Sequence, residues 1–297
     1  MELLKFLEGI RAPFLDTIIG IITMLGEETI GIAILCVIFW CINKRIAYGI
    51  GIAYFLSGLT VQGMKISFRI DRPWIAWPSL NPVPSALEHA TGYSFPSGHT
   101  QSAAALFGSL GAQVKNIPFK SICFLLVFLV AFSRLYLGVH TLLDVSVSLL
   151  ISILFIIITL KLFSNDIVNK KKELIISLSM ILIAVTVIVI ASVLFTNGKI
   201  EQGYMSDCLK AAGASIGFAA GMFTERVYVN FSVNTKNIFL QIVKFILGLA
   251  GVLAIKEGLK LIIGAGFFTN TVRYFLMLVW ITAFYPLIIK KFFAAKD

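Results

Sequence analysis

Nine apolar runs dominate this 297-residue chain, near residues 28–43, 46–68, 99–115, 118–137, 141–163, 173–195, 206–224, 237–264 and 271–290. A run of about 20 apolar residues matches the ~30 Å hydrocarbon core of a bilayer, where the backbone must satisfy its own hydrogen bonds and so forms helices. Hydrophobic residues make up 58% of the chain and charged residues only 13%, against roughly 45–50% and 25% in soluble domains. An ordinary soluble globule is excluded. The expectation is an all-α, polytopic integral membrane bundle of about nine transmembrane helices.

The segment from Met1 to Ala12 alternates Leu and Phe with Glu2, Lys5, Glu8 and Arg11, and Pro13 follows. It reads as an amphipathic helix lying at the membrane interface. Acidic residues stand where a signal peptide carries its basic region, and no small-residue cleavage site follows, so a cleavable signal is not expected. The run from Phe14 to Leu25 is too short to span alone. A polar break at Ser164–Lys172 divides the chain into a catalytic core with its interfacial helix, 1–163, and a transmembrane extension of the same bundle, 164–297.

Cations fall in alternate loops: Lys44 and Arg45, Lys115 and Lys120, Lys161 with Lys170 to Lys172, Arg226 with Lys236, and Lys290, Lys291 and Lys296. The positive-inside bias makes this side cytoplasmic, with the N-terminus outside and the C-terminus inside. The net charge of +10 is thereby assigned to cytoplasmic loops and anionic head groups, and nucleic acid is not an expected partner. Cys36, Cys41, Cys123 and Cys208 lie in or beside the apolar runs without paired metal spacing, and read as small apolar residues. The abundance of Ile, Lys and Asn points to a bacterial, AT-rich genome and hence to a bacterial inner membrane.

Three polar segments interrupt the apolar chain, all on the predicted outer side. The first holds Lys65, Arg72 and Pro73; Pro73 ends helical structure, and both cations can face one pocket or snorkel to head groups. The second, Pro96, Ser97, Gly98 and His99, opens an apolar run. A Ser N-cap leaves backbone N–H groups at a helix start for an anion, Gly98 allows close approach, and a histidine there suits proton transfer. The third holds Ser133, Arg134, Gly138, His140 and Asp144. On a helix an i,i+4 pair shares a face, so Asp144 can hold one ring nitrogen of His140 and aim the other at substrate.

This set, Lys65 with Arg72 and Pro73, then Pro96 to His99, then Ser133 and Arg134 with His140 and Asp144, resembles the three-part signature of the type 2 phosphatidic acid phosphatase superfamily. The likeness covers about residues 28–163. It implies a helical bundle and hydrolysis of a phosphomonoester or pyrophosphate through a phosphohistidine, with neither metal nor cofactor. His140 is then the nucleophile, Asp144 its orienting partner and His99 the acid and base. Lys65, Arg72, Ser97, Gly98 and Arg134 hold the phosphate oxygens.

Trp74, Trp77 and Tyr93 flank the segments either as an interfacial belt or as the rim of a lipid site. Membrane lipids are the expected partners and a lipid phosphate the expected substrate: undecaprenyl pyrophosphate, phosphatidate, phosphatidylglycerol phosphate or a sphingoid phosphate. A sugar phosphate, transfer to an alcohol acceptor, and lipid transport are the alternatives. In the extension, Asp207, Lys210, Lys256, Glu257 and Lys260 either form interhelical ion pairs, such as Asp207 with Lys256 or Lys260, or enlarge a head-group pocket.

Overall fold

The structure, a computed structural model, describes residues 1–88, 90–163, 168–264 and 266–293. Lys296 and residues 164–167 of the expected break lie outside the described residues. All nine apolar runs are helical. In chain order the helices are α1 (Glu2–Gly9), α2 (Pro13–Met24), α3 (Glu28–Val37), α4 (Lys44–Phe68), α5 (Pro73–Ala76), α6 (Pro84–Leu87), α7 (Gly98–Ala103), α8 (Ser109–Gln113), α9 (Ile117–Tyr136) and α10 (Leu142–Leu162). They continue with α11 (Lys170–Thr196), α12 (Gln202–Thr224), α13 (Ile238–Leu253), α14 (Leu259–Ile263), α15 (Phe267–Val279) and α16 (Tyr285–Phe292). Single π-turns extend α3 and α12 and join α7 to α8, α13 to α14 and α15 to α16.

Among the described residues six segments are long and apolar enough to cross a membrane, and α2 with α3, bent by 52°, adds a seventh if the pair forms one broken span and not a re-entrant loop. The expected nine is therefore not reached on length and hydropathy among the described residues. α7 with α8 falls short because it is brief. α12 falls short because it is built of Gly, Ala and Ser with Asp207 and Lys210. The π-turn that joins α7 to α8 is wholly buried, and so are most residues in the central part of α12. A helix wrapped by protein does not need an apolar surface.

The chain forms two compact units, one of residues 1–32 and 52–161, the other of 33–51 and 162–293. In the first unit α1 is amphipathic, as expected, and its Leu4 and Leu7 join a core with Leu80, Ala131, Leu135 and Val145. Arg11 then ties the end of α9 to the loop between α5 and α6: its Nε donates to Tyr136 O at 2.9 Å and its Nη1 to Asn81 O. Gly138 sits in the loop that follows α9 at φ +75°, and a Cβ there would stand 2.7 Å from Arg11 Nη2. Only glycine meets both demands cheaply. Trp77 and Trp74, both half-buried, pack against apolar clusters of this unit, and the Arg72 guanidinium lies over the Trp74 ring, 5.8 Å from its centroid.

In the second unit α12 presents Gly213, Gly217 and Gly221, spaced by four, to the segment from α15 onward. A Cβ at these positions would strike Thr271 O, Phe275 O and Thr282 Oγ1 respectively. Numbers rise together along both helices, so α12 and α15 run parallel, in the close approach that small-residue stripes permit. The basic loops gather at one end of this unit. Lys44 Nζ donates to Glu225 Oε1 at 3.0 Å, Asn230 Oδ1 at 2.7 Å and Phe231 O at 2.8 Å. Arg226 pairs with Glu173 at 3.0 Å, and Tyr48 Oη donates to Glu225 Oε2. Asp207 pairs with Lys210 of its own helix at 2.9 Å, not with Lys256 or Lys260 as expected, because an i,i+3 partner is within reach without ordering a second helix. All four cysteines are free.

Candidate active site

The three polar segments meet at one end of the first unit, where α4 and α9 finish and α7 and α10 begin. α4 closes on Arg69, a non-glycine residue in the left-handed region at φ +52°, whose N–H returns to Lys65 O at 3.0 Å. That cap turns the chain so that Arg72 points back into the unit. Arg72 is 4% exposed, and its guanidinium donates to Gly92 O at 2.9 Å, Thr91 O at 2.7 Å and Val139 O at 2.9 Å. Its Nη1 also lies 2.8 Å from His140 Nε2. Lys65 Nζ donates to Tyr93 O at 2.9 Å, on the same loop.

That contact fixes the state of His140. An arginine only donates, so Nε2 must accept, and the ring proton of a neutral imidazole then sits on Nδ1. Nδ1 faces Asp144 Oδ2 at 3.4 Å, close but without the alignment of a full hydrogen bond. The sequence expectation that Asp144 grips the ring is thus met only in part. Asp144 is itself held elsewhere, because Oδ2 accepts from Ser94 Oγ at 2.6 Å and from Thr141 N at 2.7 Å. Thr141 Oγ1 accepts in turn from Asp144 N at 3.2 Å. The two residues form a reciprocal capping box at the start of α10. Burial drives the His140 pKa well below its ordinary value, and the positive charges of Arg72, Arg134 and Lys65, with His99, push it further the same way. The imidazole stays neutral with a lone pair on Nε2.

Ser97 caps α7, its Oγ accepting from Thr100 N at 3.4 Å and Thr100 Oγ1 at 3.0 Å. Ser97 N donates to Asp144 O at 3.2 Å, which ties the second segment to the third. A Cβ added to Gly98 would meet nothing within 4 Å, so this helix start faces open space beside the cations. His99 follows in the first turn.

Arg134 is 1% exposed. Its Nη1 donates to Thr23 Oγ1 at 2.6 Å, while Nε and Nη2 have no partner among the described residues. A buried guanidinium with idle donors beside a neutral imidazole and two more cations can receive a tetrahedral oxyanion. All eight residues singled out from the sequence therefore converge on this end of the unit.

Sequence reasoning missed Thr23, Gly26 and Ser94. The α2–α3 elbow lies against the site: a Cβ on Gly26 would stand 2.8 Å from His99 O and 2.9 Å from His99 Cβ. The signal available for the elbow was weak, a polar pair at Glu27 and Glu28 between two short apolar runs. For Ser94 it was stronger, a hydroxyl inside the second polar segment itself.

A family model described as the PAP2 superfamily matches residues 46–168, and one described as the PAP2 superfamily phosphatase transmembrane extension matches residues 209–297. A probable sphingosine-1-phosphate phosphatase of Dictyostelium discoideum is 31% identical over 170 residues, 52% of this chain and 40% of that protein. Phosphatidylglycerophosphatase B of Bacillus subtilis (strain 168) is 30% identical over 152 residues, 46% of this chain and 69% of that protein. The crystal structure of LpxE from Aquifex aeolicus aligns with a TM-score of 0.48 at 29% identity, covering 54% of this chain and 93% of that one.

Proposed function

Because this chain belongs to the PAP2 superfamily, we propose that it is an integral membrane phosphatase that hydrolyses a lipid phosphate or pyrophosphate through a phosphohistidine on His140. The observation that carries this reading is the neutral His140, its Nε2 lone pair set 2.8 Å from Arg72 and its neighbour Arg134 left with two idle nitrogens. A phosphate that draws the Arg72 and Arg134 N–H groups onto its oxygens uncovers the lone pair at the moment phosphorus arrives.

His140 Nε2 then attacks phosphorus as the bond to the leaving oxygen breaks, and His99 gives that oxygen its proton. In the second half His99 takes a proton from water, the water oxygen bonds phosphorus and the N–P bond breaks. Lys65, Arg72 and Arg134, with Ser97 and the Gly98 N–H, hold the equatorial oxygens throughout, and the charge on Asp144 steadies the imidazolium side of the cycle. Turnover is expected to continue in a chelator.

The two named relatives, a probable sphingosine-1-phosphate phosphatase and a phosphatidylglycerophosphatase, favour a phosphomonoester at the head of a lipid. α4 begins at Lys44 and Arg45, α9 beside Lys115 and Lys120, and α10 ends at Lys161. The site is at the other end of each. This supports a non-cytoplasmic site in a nine-span topology with a cytoplasmic C-terminus in a bacterial inner membrane. The test is phosphate release by purified protein from a panel of lipid phosphates, lipid pyrophosphates and sugar phosphates, with and without alcohol acceptors. His140→Ala should abolish turnover and His99→Ala should reduce it by about 10²–10⁴-fold; undiminished release by His140→Ala sinks the mechanism.

A further inference from the structure

Arg134 carries a recognisable mark, a buried guanidinium held at one nitrogen with the other two idle. Among the described residues one other arginine carries it. Arg273, in the second turn of α15, is 8% exposed; its Nη2 donates to Asn270 Oδ1 at 2.8 Å, and its Nε and Nη1 are buried without a partner. Asn270 is itself oriented, because its Nδ2 donates to Ser206 Oγ on α12 at 3.0 Å. The chain from Ser206 through Asn270 to Arg273 thus fixes one end of the guanidinium and leaves the N–H donors of Nε and Nη1 unused.

No carboxylate answers this charge within ion-pair reach among the described residues. Asp207, beside Ser206 on α12, is already engaged by Lys210 at 2.9 Å. α12 and α15 run parallel, so their N-termini, each a concentration of unpaired N–H groups, lie at the same end and add to the positive field. A buried cation left with idle donors is costly, and within membrane-spanning segments such residues pair or mark a binding site.

From this we infer that Ser206, Asn270 and Arg273 form a second anion site in the transmembrane extension, whose ligand is the phosphate of an anionic phospholipid. Arg273 lies six residues beyond Phe267, where this span begins, hence about 9 Å along the axis at ~1.5 Å per residue. That depth is within reach of a head-group phosphate in the adjoining leaflet. The inference does not depend on the reaction proposed above, since it uses none of the residues of that site.

The test is retention of lipid by the full-length protein, read by mass spectrometry of the intact protein and by its thermal stability in detergent. Phosphatidylglycerol is the probe, phosphatidylcholine the zwitterionic control and inorganic phosphate the free-anion control. As a phosphodiester, phosphatidylglycerol offers no terminal phosphate for hydrolysis, so binding is read apart from turnover. Wild-type protein should keep phosphatidylglycerol in preference to phosphatidylcholine, and Arg273→Gln should lose it by roughly tenfold, the worth of one charged hydrogen-bonded contact. Arg134→Gln should retain it, which separates this site from the catalytic one. Ser206→Ala, expected to lose a smaller share, serves if Arg273→Gln does not fold. Equal retention by wild type, Arg273→Gln and Ser206→Ala overturns the site, as does equal retention of the two lipids. Stabilisation by inorganic phosphate that matches phosphatidylglycerol overturns the lipid assignment.

Discussion

At the scale of single residues, Arg134 depends on one hydroxyl. Thr23 Oγ1 is its sole tether among the described residues, so Thr23→Val, which keeps shape and removes the acceptor, should let the guanidinium drift from the phosphate. We expect kcat/KM to fall roughly tenfold, with Thr23→Ser near wild type; steady-state kinetics on a lipid phosphate checks this, and equal kinetics for Thr23→Val refutes the tether. His140 gives a second prediction, of opposite kind. Its pKa is lowered in the folded protein from an ordinary 6.5, so below that pH the unfolded chain binds a proton that the folded site refuses. Stability should therefore fall as pH drops from about 6.5, by up to ~1.4 kcal/mol per pH unit from this group. Thermal unfolding of the ligand-free protein between pH 7 and roughly 5 should show a steeper decline in wild type than in His140→Asn.

At the scale of helices, two glycine contacts have different jobs. Gly217 lets α12 lie on the backbone of α15, and a methyl there meets Phe275 O and Leu278 Cβ, neither of which can rotate away. Gly217→Ala should cost about 1–3 kcal/mol of stability, whereas Gly203→Ala, on the same helix with nothing near its Cβ, should cost nothing; thermal melts of both decide it. Gly26 seats the elbow on His99, so Gly26→Ala should lower turnover more than it lowers the melting temperature. The sequence carried the helices legibly, since each of the nine apolar runs is helical; Pro13 and Gly138 marked breaks that the fold keeps, whereas Pro73, expected to end helical structure, stands as the first residue of α5. It also carried the candidate site, because each of the three segments sets a cation or a histidine at a helix end. The Thr141–Asp144 capping box was equally present as a Thr and an Asp three residues apart. The elbow was not legible, since a bend of 52° between α2 and α3 follows from packing against His99 and Val130 and leaves no periodic trace. Burial of α12 was hidden for a related reason, as a helix covered on most sides has no apolar stripe to detect.

At the scale of the whole molecule, sidedness and span count are one question. If residues 98–113 and α12 both cross, the loop holding Ser79 and the loop holding Ser232 lie on opposite sides of the membrane; if only one of them crosses, the two loops lie on the same side. The charge pattern sets the expected sidedness, because Lys44, Arg45, Arg226 and Lys290 gather where α12 ends, and basic loops tend to stay in the cytoplasm. Ser79 and Ser232 are both exposed, and Cys36, Cys123 and Cys208 are buried. In a Cys41→Ser background, Ser79→Cys should therefore react with a membrane-impermeant thiol reagent on intact cells, and Ser232→Cys only after permeabilisation. The reverse pattern would put the catalytic end in the cytoplasm, and reaction of both on intact cells would remove either 98–113 or α12 from the spans. The first result alone agrees with a substrate that reaches His140 from the outer leaflet.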